Sequence, residues 1–143
     1  MTSKYFLLAI IVLFTSCGTT GHIIFYNFNA TKYEVEKEIV NLIKMDSTFS
    51  VPTKWKEHTT GDSFERIYLY FKNSPEELIQ VGFTYDSTVW KRSPTSKLGL
   101  VAIYQGNQFK YESDLSKKQI ERIKKRIETE VLSRIKYPYY KND

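Results

Sequence analysis

The side chains that usually carry acid–base, metal or nucleophilic chemistry are scarce in this chain. It has one cysteine and two histidines, His22 and His58, and it has no His-Glu-x-x-His segment. Glu57 and His58 form the only adjacent acid–imidazole pair, which we interpret as a solvated loop charge beside a histidine. No Gly-x-Ser-x-Gly elbow and no phosphate-binding glycine loop occurs. We therefore expect no catalytic residues, no metal site and no cofactor, and we predict that the chain is not an enzyme.

The amino-terminal segment has the layout of a secretory signal. Lys4 provides a positive charge, and the apolar run over residues 5–14 is too short to span a bilayer comfortably. The small residues Thr15 and Ser16 follow, and the only cysteine, Cys17, comes directly after them. This order of charge, apolar run and small residues predicts export from the cytoplasm.

Residues 13–17, which read Leu-Phe-Thr-Ser-Cys, resemble the lipobox of bacterial lipoproteins, although Phe14 replaces the usual aliphatic residue. The resemblance implies cleavage before Cys17, a lipid on its sulfur and acylation of the new amino terminus. Two or more acyl chains hold a protein stably on a membrane. An uncleaved membrane anchor, or an ordinary secretory signal with an incidental Cys17, are the alternatives. Gly18, in place of an aspartate, favours the periplasmic side of the outer membrane over the inner membrane.

The expected organisation is a signal peptide over residues 1–16, a tether over residues 17–21 and a single domain over residues 22–143. This length suits one compact core, and 41% of the chain is hydrophobic. A single cysteine leaves no internal disulfide. The net charge of +5 is too small for a nucleic-acid-binding footprint. We expect the membrane as a partner through Cys17, consider another envelope protein as a second, and leave the oligomeric state open.

Two segments carry the signals of capped amphipathic helices. Thr31 and Glu34 fit a capping box, and the apolar stripe that follows predicts a helix to about Met45. Ser116 and Gln119 fit a second box, ahead of a helix that we expect to end at Tyr137-Pro138. The stripes consist of Val35, Ile39, Leu42 and Ile43 in the first helix, and of Ile120, Ile123, Ile127, Val131 and Ile135 in the second.

Alternating apolar and polar residues predict strands over residues 23–28, 64–72, 78–85 and 98–105, with a returning strand around residues 109–111. Gly106-Asn107 fits a type II′ hairpin turn. The order is therefore β-α-β-β-β-β-α. We predict an α+β fold, in which an antiparallel meander sheet of four to five strands carries both amphipathic helices on one face.

The strand over residues 64–72 motivates the leading functional hypothesis. Its apolar residues are expected to face the core, so that Arg66, Tyr68, Tyr70 and Lys72 lie on the opposite face. Tyrosine and arginine are enriched in binding hot spots. We therefore expect these four residues to dock a partner, in a non-enzymatic interaction or structural module of the cell envelope. The competing interpretation is that the tyrosines only brace the sheet.

The alternative function is a small-ligand carrier or an unrecognised enzyme. Trp55 and Trp90 lie in long predicted loops, where tryptophan either caps a pocket or closes the end of a core. This alternative expects a pocket between the sheet and the helices, lined by both tryptophans. A large apolar pocket there would favour it, whereas a filled core with an exposed aromatic patch would favour the interaction module.

Two short segments in predicted loops have the same sequence. Residues 46–48 and residues 86–88 both read Asp-Ser-Thr, and both resemble an acceptor motif for bacterial O-glycosylation. Whether either segment is modified stays open at this point.

Overall fold

The computed structural model describes residues 24–59 and 65–141. Cys17, His22 and the predicted signal and tether lie outside these residues. The described strands are β1 (Phe25–Phe28), β2 (Arg66–Phe71), β3 (Glu77–Phe83), β4 (Ser96–Gln105), β5 (Gln108–Tyr111) and β6 (Tyr139–Tyr140). The helices are α1 (Lys32–Met45), α2 (Ser87–Trp90) and α3 (Lys117–Glu130), with short 3₁₀ helices at Ser47–Phe49, Thr53–Thr59, Glu112–Asp114 and Leu132–Arg134.

All strands belong to one antiparallel sheet in the order β2-β3-β4-β1-β6, with β5 paired to β4. β4 is long enough to hold β3 along one edge and two strands along the other. β1 pairs with its first part and β5 with its last part. The predicted α+β class with an antiparallel sheet is confirmed, and the described sheet has six strands because the tail after α3 adds one.

Both predicted capping boxes are present. The Thr31 amide donates to Glu34 Oε2 at 2.9 Å, and the Glu34 amide donates to Thr31 Oγ1 at 3.3 Å. Ser116 and Gln119 make the same reciprocal pair at 3.0 and 3.3 Å. Each cap satisfies amides that a helix start leaves without intrahelical partners. α1 ends at Met45 as predicted, whereas α3 ends at Glu130, earlier than predicted.

One hydrophobic core fills the space between the sheet and the two long helices. Val35 and Ile39 of α1 and Ile123 and Ile127 of α3 are fully buried in the same cluster. The sheet contributes alternate residues to it, including Ile67, Leu69, Phe71, Ile79, Val81, Leu98 and Leu100. Both helices therefore lie on one face of the sheet, as predicted. The buried faces of the two helices could be predicted from the sequence because their apolar residues recur at short, regular spacing.

A second, smaller cluster covers part of the opposite face. The 3₁₀ helix Thr53–Thr59 places Trp55 against Tyr70 and Leu78, and Val51, Tyr68 and Tyr104 pack around them. The Trp55 ring meets the Tyr70 ring edge-on at 5.7 Å between centroids. The segment after α1 was predicted to be only a polar loop. Its one tryptophan instead anchors it to the sheet.

The tyrosine-rich tail returns to the sheet as β6. Phe28 pairs with Tyr139, and Asn27 pairs with Tyr140. The Tyr139 ring packs edge-on against Tyr26 at 5.3 Å, which ties the end of the chain to the core. At the β4–β5 hairpin, Gly106 has a φ of +59°, as the first central residue of a type II′ turn requires.

Candidate functional site

The buried charged side chains of the described residues are engaged in holding the fold. Lys32 is 2% exposed, and its ammonium pairs with Glu36 at 2.6 Å and also with Glu65. Burial lowers the pKa of Lys32, but the hydrogen bonds and charges of both glutamates outweigh that effect and raise the pKa. The ammonium also lies 4.7 Å from the centre of the Trp90 ring. Lys32 therefore connects α1 to the region of α2 as a structural cation.

Glu77 is fully buried beneath α3. Its Oε1 accepts hydrogen bonds from Arg122 at 2.5 Å and from Arg126 at 2.7 Å. Arg126 also donates to the backbone oxygens of Asn73 and Pro75. These contacts hold the β2–β3 turn against α3. Both arginines are therefore structural partners of the Glu77 carboxylate.

The predicted docking face is not an exposed tyrosine surface. Tyr70 is 5% exposed because Trp55 covers it, and its hydroxyl donates to Glu76 Oε1 at 2.7 Å. Burial, together with that hydrogen bond, raises the pKa of Tyr70 to about 12. The expectation that Tyr70 faces solvent or a partner is therefore wrong: the tyrosine is a packing residue under a third layer.

The other residues of that predicted face are in mixed environments. Tyr68 is half-buried beside the same aromatic cluster. Arg66 is also half-buried and donates to Gln80 Oε1 at 3.0 Å across the β2–β3 pair. Lys72 is exposed at the end of β2. These four side chains consequently do not form the flat, rigid aromatic platform that the sequence suggested.

Trp55 and Trp90 do not line a common pocket. Trp55 packs with Tyr70 and Tyr104 on the face away from the long helices. Trp90 lies in α2, and its Nε1 donates to the Thr84 backbone oxygen at 2.8 Å. The prediction that both tryptophans line a pocket between the sheet and the helices is wrong. Trp55 lies on the other side of the sheet, and core side chains fill the space between the sheet and the helices.

The acid–imidazole pair is part of the same packed layer. His58 Nε2 lies 3.5 Å from Glu57 Oε1, and the imidazole lies over Tyr104 with 3.9 Å between ring centres. Within residues 24–59 and 65–141, no group of three or more His, Cys, Asp or Glu side chains is arranged to hold a metal ion. His58 is accounted for by ring packing against β4.

The repeated Asp-Ser-Thr segments share a structural role. Asp46 accepts from the Thr48 amide at 3.0 Å and caps the first 3₁₀ helix, while Asp86 accepts from the Thr88 and Val89 amides and caps α2. An aspartate is favoured at such caps because its carboxylate satisfies free amides at a helix start. Helix capping therefore explains why the same three residues occur twice.

A groove of about 640 Å³ runs along the outer end of β2. The segment Ser47–Thr53 forms one wall, and Tyr70, Phe71, Lys72 and Asn73 form another. Its lining mixes hydroxyls, apolar rings, the two lysines Lys56 and Lys72, and one carboxylate, Glu130. The groove is wide and open, and its side chains do not single out one ligand chemistry.

A smaller cavity of about 140 Å³ lies between the α2 loop and the strands β1, β4 and β6. We call it the edge pocket. Lys97, Asn27 and Tyr140 are successive cross-strand partners along its sheet wall, and they share one face. The remaining lining residues are Thr84, Tyr85, Val89, Trp90, Ser93, Thr95 and Ser96, which belong to the connection between β3 and β4 or to its ends.

Two hydroxyl groups near the start of β4 are shielded from solvent without a protein partner. Thr84 Oγ1 and Ser96 Oγ make no hydrogen bond to any described residue, and such a group costs about 1–3 kcal/mol. Ser96 pairs with the core residue Phe28, so its side chain lies on the core face. Thr84 continues the row of Lys97, Asn27 and Tyr140 on the other face, since its amide donates to the Lys97 backbone oxygen. The Thr84 hydroxyl therefore indicates a place for a hydrogen-bonding molecule in the edge pocket.

Exposed aromatic and apolar side chains surround the edge pocket. Tyr85 is 73% exposed, and Val89 and Tyr140 are also among the exposed large apolar residues. Tyr85 has a φ of +72°, a left-handed conformation that is strained for a bulky residue. The backbone therefore holds an aromatic ring out toward solvent at a position where glycine would be the unstrained choice.

The edge pocket carries little charge. Lys97 is the one charged residue in its described lining, and the Lys97 ammonium lies 3.9 Å from the centre of the Phe25 ring. The carboxylate of nearby Asp86 is engaged with the α2 amides. Hydroxyls, an amide side chain and aromatic rings are the groups that remain for a ligand.

No local pattern in the sequence indicates this site. Thr84 lies directly after β3, and Tyr140 comes from the distant tail. Trp90, in a long predicted loop, is the one part of the site that the sequence indicated.

Comparison with protein-family models, with curated proteins and with solved structures finds no match for this chain. Among residues 24–59 and 65–141, no helix is both long and apolar enough to cross a membrane.

Proposed function

We propose that this chain is a lipid-anchored protein of the bacterial cell envelope, and that its folded domain is a non-enzymatic module that binds an envelope component at the edge pocket. The observation that carries the proposal is the shielded, unpartnered hydroxyl of Thr84 beside the exposed rings of Tyr85 and Tyr140. Concave sites of this kind combine apolar contact area with a few polar groups that orient a ligand.

The pocket lining suits binding better than catalysis. A hydroxyl becomes a nucleophile when an adjacent base takes its proton. Thr84 Oγ1 has no hydrogen-bond partner of any kind among the described residues, and hence no such base. It is therefore suited to exchange hydrogen bonds with a ligand rather than to attack one.

The alternative, a carrier that encloses a ligand between the sheet and the helices, has less support. The core side chains occupy that space, with Val35, Ile39, Ile123 and Ile127 fully buried against the strands. An open pocket at the edge of the sheet instead suits a large envelope component that is itself anchored or extended. The pocket would contact only one part of that component.

The anchor is tested by substitution of the lipidation site. Cys17→Ser removes the sulfur that would carry the lipid, so we expect the variant to leave the membrane fraction while wild-type chain stays in it. Cell fractionation followed by a high-salt wash measures this. A variant that still sediments with membranes after the wash would overturn the lipoprotein assignment.

The binding site is tested in cells by photo-crosslinking. A photoreactive benzophenone amino acid replaces Tyr85 at the pocket rim, and in a second strain it replaces Tyr111, which is exposed on β5 at the other end of β4. After irradiation we expect a species of lower gel mobility from position 85 and not from position 111. Crosslinking from position 111 alone, or from neither position, would contradict the proposed site.

A further inference from the structure

We infer that the edge pocket binds a neutral, hydroxyl-rich ligand, namely one ring of a saccharide. This inference rests on the proposed function and specifies the ligand of the same site. Three properties of the pocket lead to it: its charge, the state of its hydroxyl groups, and the aromatic residues at its rim.

The charge of the lining disfavours ionic ligands. Phosphate and carboxylate ligands are usually held by several cationic or backbone donors, and guanidinium groups are the best of them. The described lining contains no arginine, and its single lysine, Lys97, directs its ammonium over the Phe25 ring. A cationic ligand would need a carboxylate, and none belongs to the described lining. The ligand that matches this lining carries no charge.

The shielded hydroxyl of Thr84 favours a ligand that both donates and accepts hydrogen bonds. A threonine hydroxyl has one donor and two acceptor positions, and so does a sugar hydroxyl. An apolar ligand would leave the Thr84 hydroxyl without a partner, and so would gain nothing from it. The Asn27 carboxamide also lines the pocket, with its Nδ2 3.3 Å from the Tyr140 backbone oxygen.

The size of the pocket suits a single ring rather than a longer chain. Its volume of about 140 Å³ is small beside the roughly 300–1,000 Å³ of sites that enclose a whole drug-sized ligand. Trp90, Tyr85 and Tyr140 line it and supply apolar surface for the C–H groups of a sugar ring, with the Lys32 ammonium already 4.7 Å from the centre of the Trp90 ring.

The test uses Trp90 as a reporter. In a Trp55→Phe chain, Trp90 is the only tryptophan left, and Trp55 packs on the sheet face with Tyr70 and Tyr104, outside the edge pocket. The full chain is held in a zwitterionic detergent that has no sugar head group. It is titrated with N-acetylglucosamine, with glucosamine and with glucuronate, which present similar rings with zero, positive and negative charge. We expect a saturable fluorescence change with the neutral sugar, and binding about tenfold weaker for both charged sugars.

A hydroxyl-to-methyl variant assigns the signal to the pocket. Thr84→Val removes the unpartnered hydroxyl, and we expect it to weaken binding by about tenfold. Ser133→Ala removes a hydroxyl that is already bonded to the Thr129 backbone oxygen on α3, and it should leave binding unchanged. Chemical shifts of the Thr84 and Ser96 amides provide a second readout, which does not depend on tryptophan.

Several results would overturn the inference. If neither readout responds to the neutral sugar at millimolar concentration, the pocket holds only water. Tighter binding of glucuronate or glucosamine would mean that charge selects the ligand. Binding by Thr84→Val equal to that of the parent chain would place the sugar elsewhere. In all three cases, crosslinking from position 85 in cells would still report on the proposed binding function, so the two claims can fail separately.

Discussion

At the scale of single residues, Thr84 and Tyr85 of the edge pocket each hold a state that costs stability. Thr84 buries a hydroxyl without a protein partner, and Tyr85 has a positive φ. Such costs concentrate where a protein binds something, because the ligand supplies what the fold lacks. Removing each cost should therefore stabilise the free protein while it harms binding.

The first prediction follows from the hydroxyl of Thr84. Thr84→Val keeps the shape of the side chain and removes the unpartnered group, so the free energy of unfolding should rise by about 1 kcal/mol. Urea denaturation of the ligand-free chain measures this. Ser133→Ala, which removes a bonded hydroxyl, serves as the comparison and should show no such gain. A fall in stability for Thr84→Val would mean that its hydroxyl is already satisfied.

The second prediction concerns the backbone of Tyr85. Glycine adopts positive φ without strain, whereas alanine does not, so Tyr85→Gly should be about 1 kcal/mol more stable than Tyr85→Ala. The comparison of two small residues cancels the loss of the tyrosine ring. Equal unfolding midpoints in urea would indicate that residue 85 does not hold the left-handed conformation.

At the scale of elements, α3 gives the sharpest test of packing. Ile127 is fully buried and Lys125 is exposed on the same helix. Ile127→Ala should cost about 2–5 kcal/mol, and Lys125→Ala should cost almost nothing. Thermal and urea unfolding report both. Similar losses for the two variants would mean that the helix is rotated relative to the sheet.

The junction between α1 and the carboxyl-terminal 3₁₀ helix should depend on pH. Hydrogen bonds from Thr48 and Arg134 lower the pKa of Asp46 to about 2, below its usual value near 4. A lowered pKa in the folded state means that the stabilisation is present above pH 4 and is lost as the pH falls toward 2. In the Asp46→Asn variant, the free energy of unfolding measured in urea should therefore fall less steeply than in the parent chain as the pH drops from 4 to 2. The same pH dependence in both chains would show that Asp46 does not contribute to it.

These elements differ in how far the sequence could predict them. The caps at Thr31 and Ser116 involve residues three positions apart, so they were visible in the sequence. The burial of Tyr70 depends on Trp55, which reaches it through a 3₁₀ helix that no periodic pattern indicates. The edge pocket depends on Tyr140 returning beside Asn27, a pairing between the two ends of the domain. Local signals therefore predicted the helices and strands, and long-range pairing decided the site.

At the scale of the whole molecule, the proposed lipid anchor and the edge pocket would work together. An anchor confines the domain to a membrane surface, so a ligand on the same surface is met at a high effective concentration. A pocket that contacts only one saccharide ring, with modest intrinsic affinity, is then sufficient for retention on a larger envelope component.

The measurement that tests this account most directly combines the photo-crosslinker at position 85 with the change Thr84→Val. The account predicts that crosslinking in cells is strong in the parent chain and falls sharply in the Thr84→Val variant, even though that variant is at least as stable in urea. Loss of binding then cannot be attributed to unfolding. Undiminished crosslinking from the Thr84→Val variant would contradict the claim that the shielded hydroxyl of the edge pocket binds the ligand.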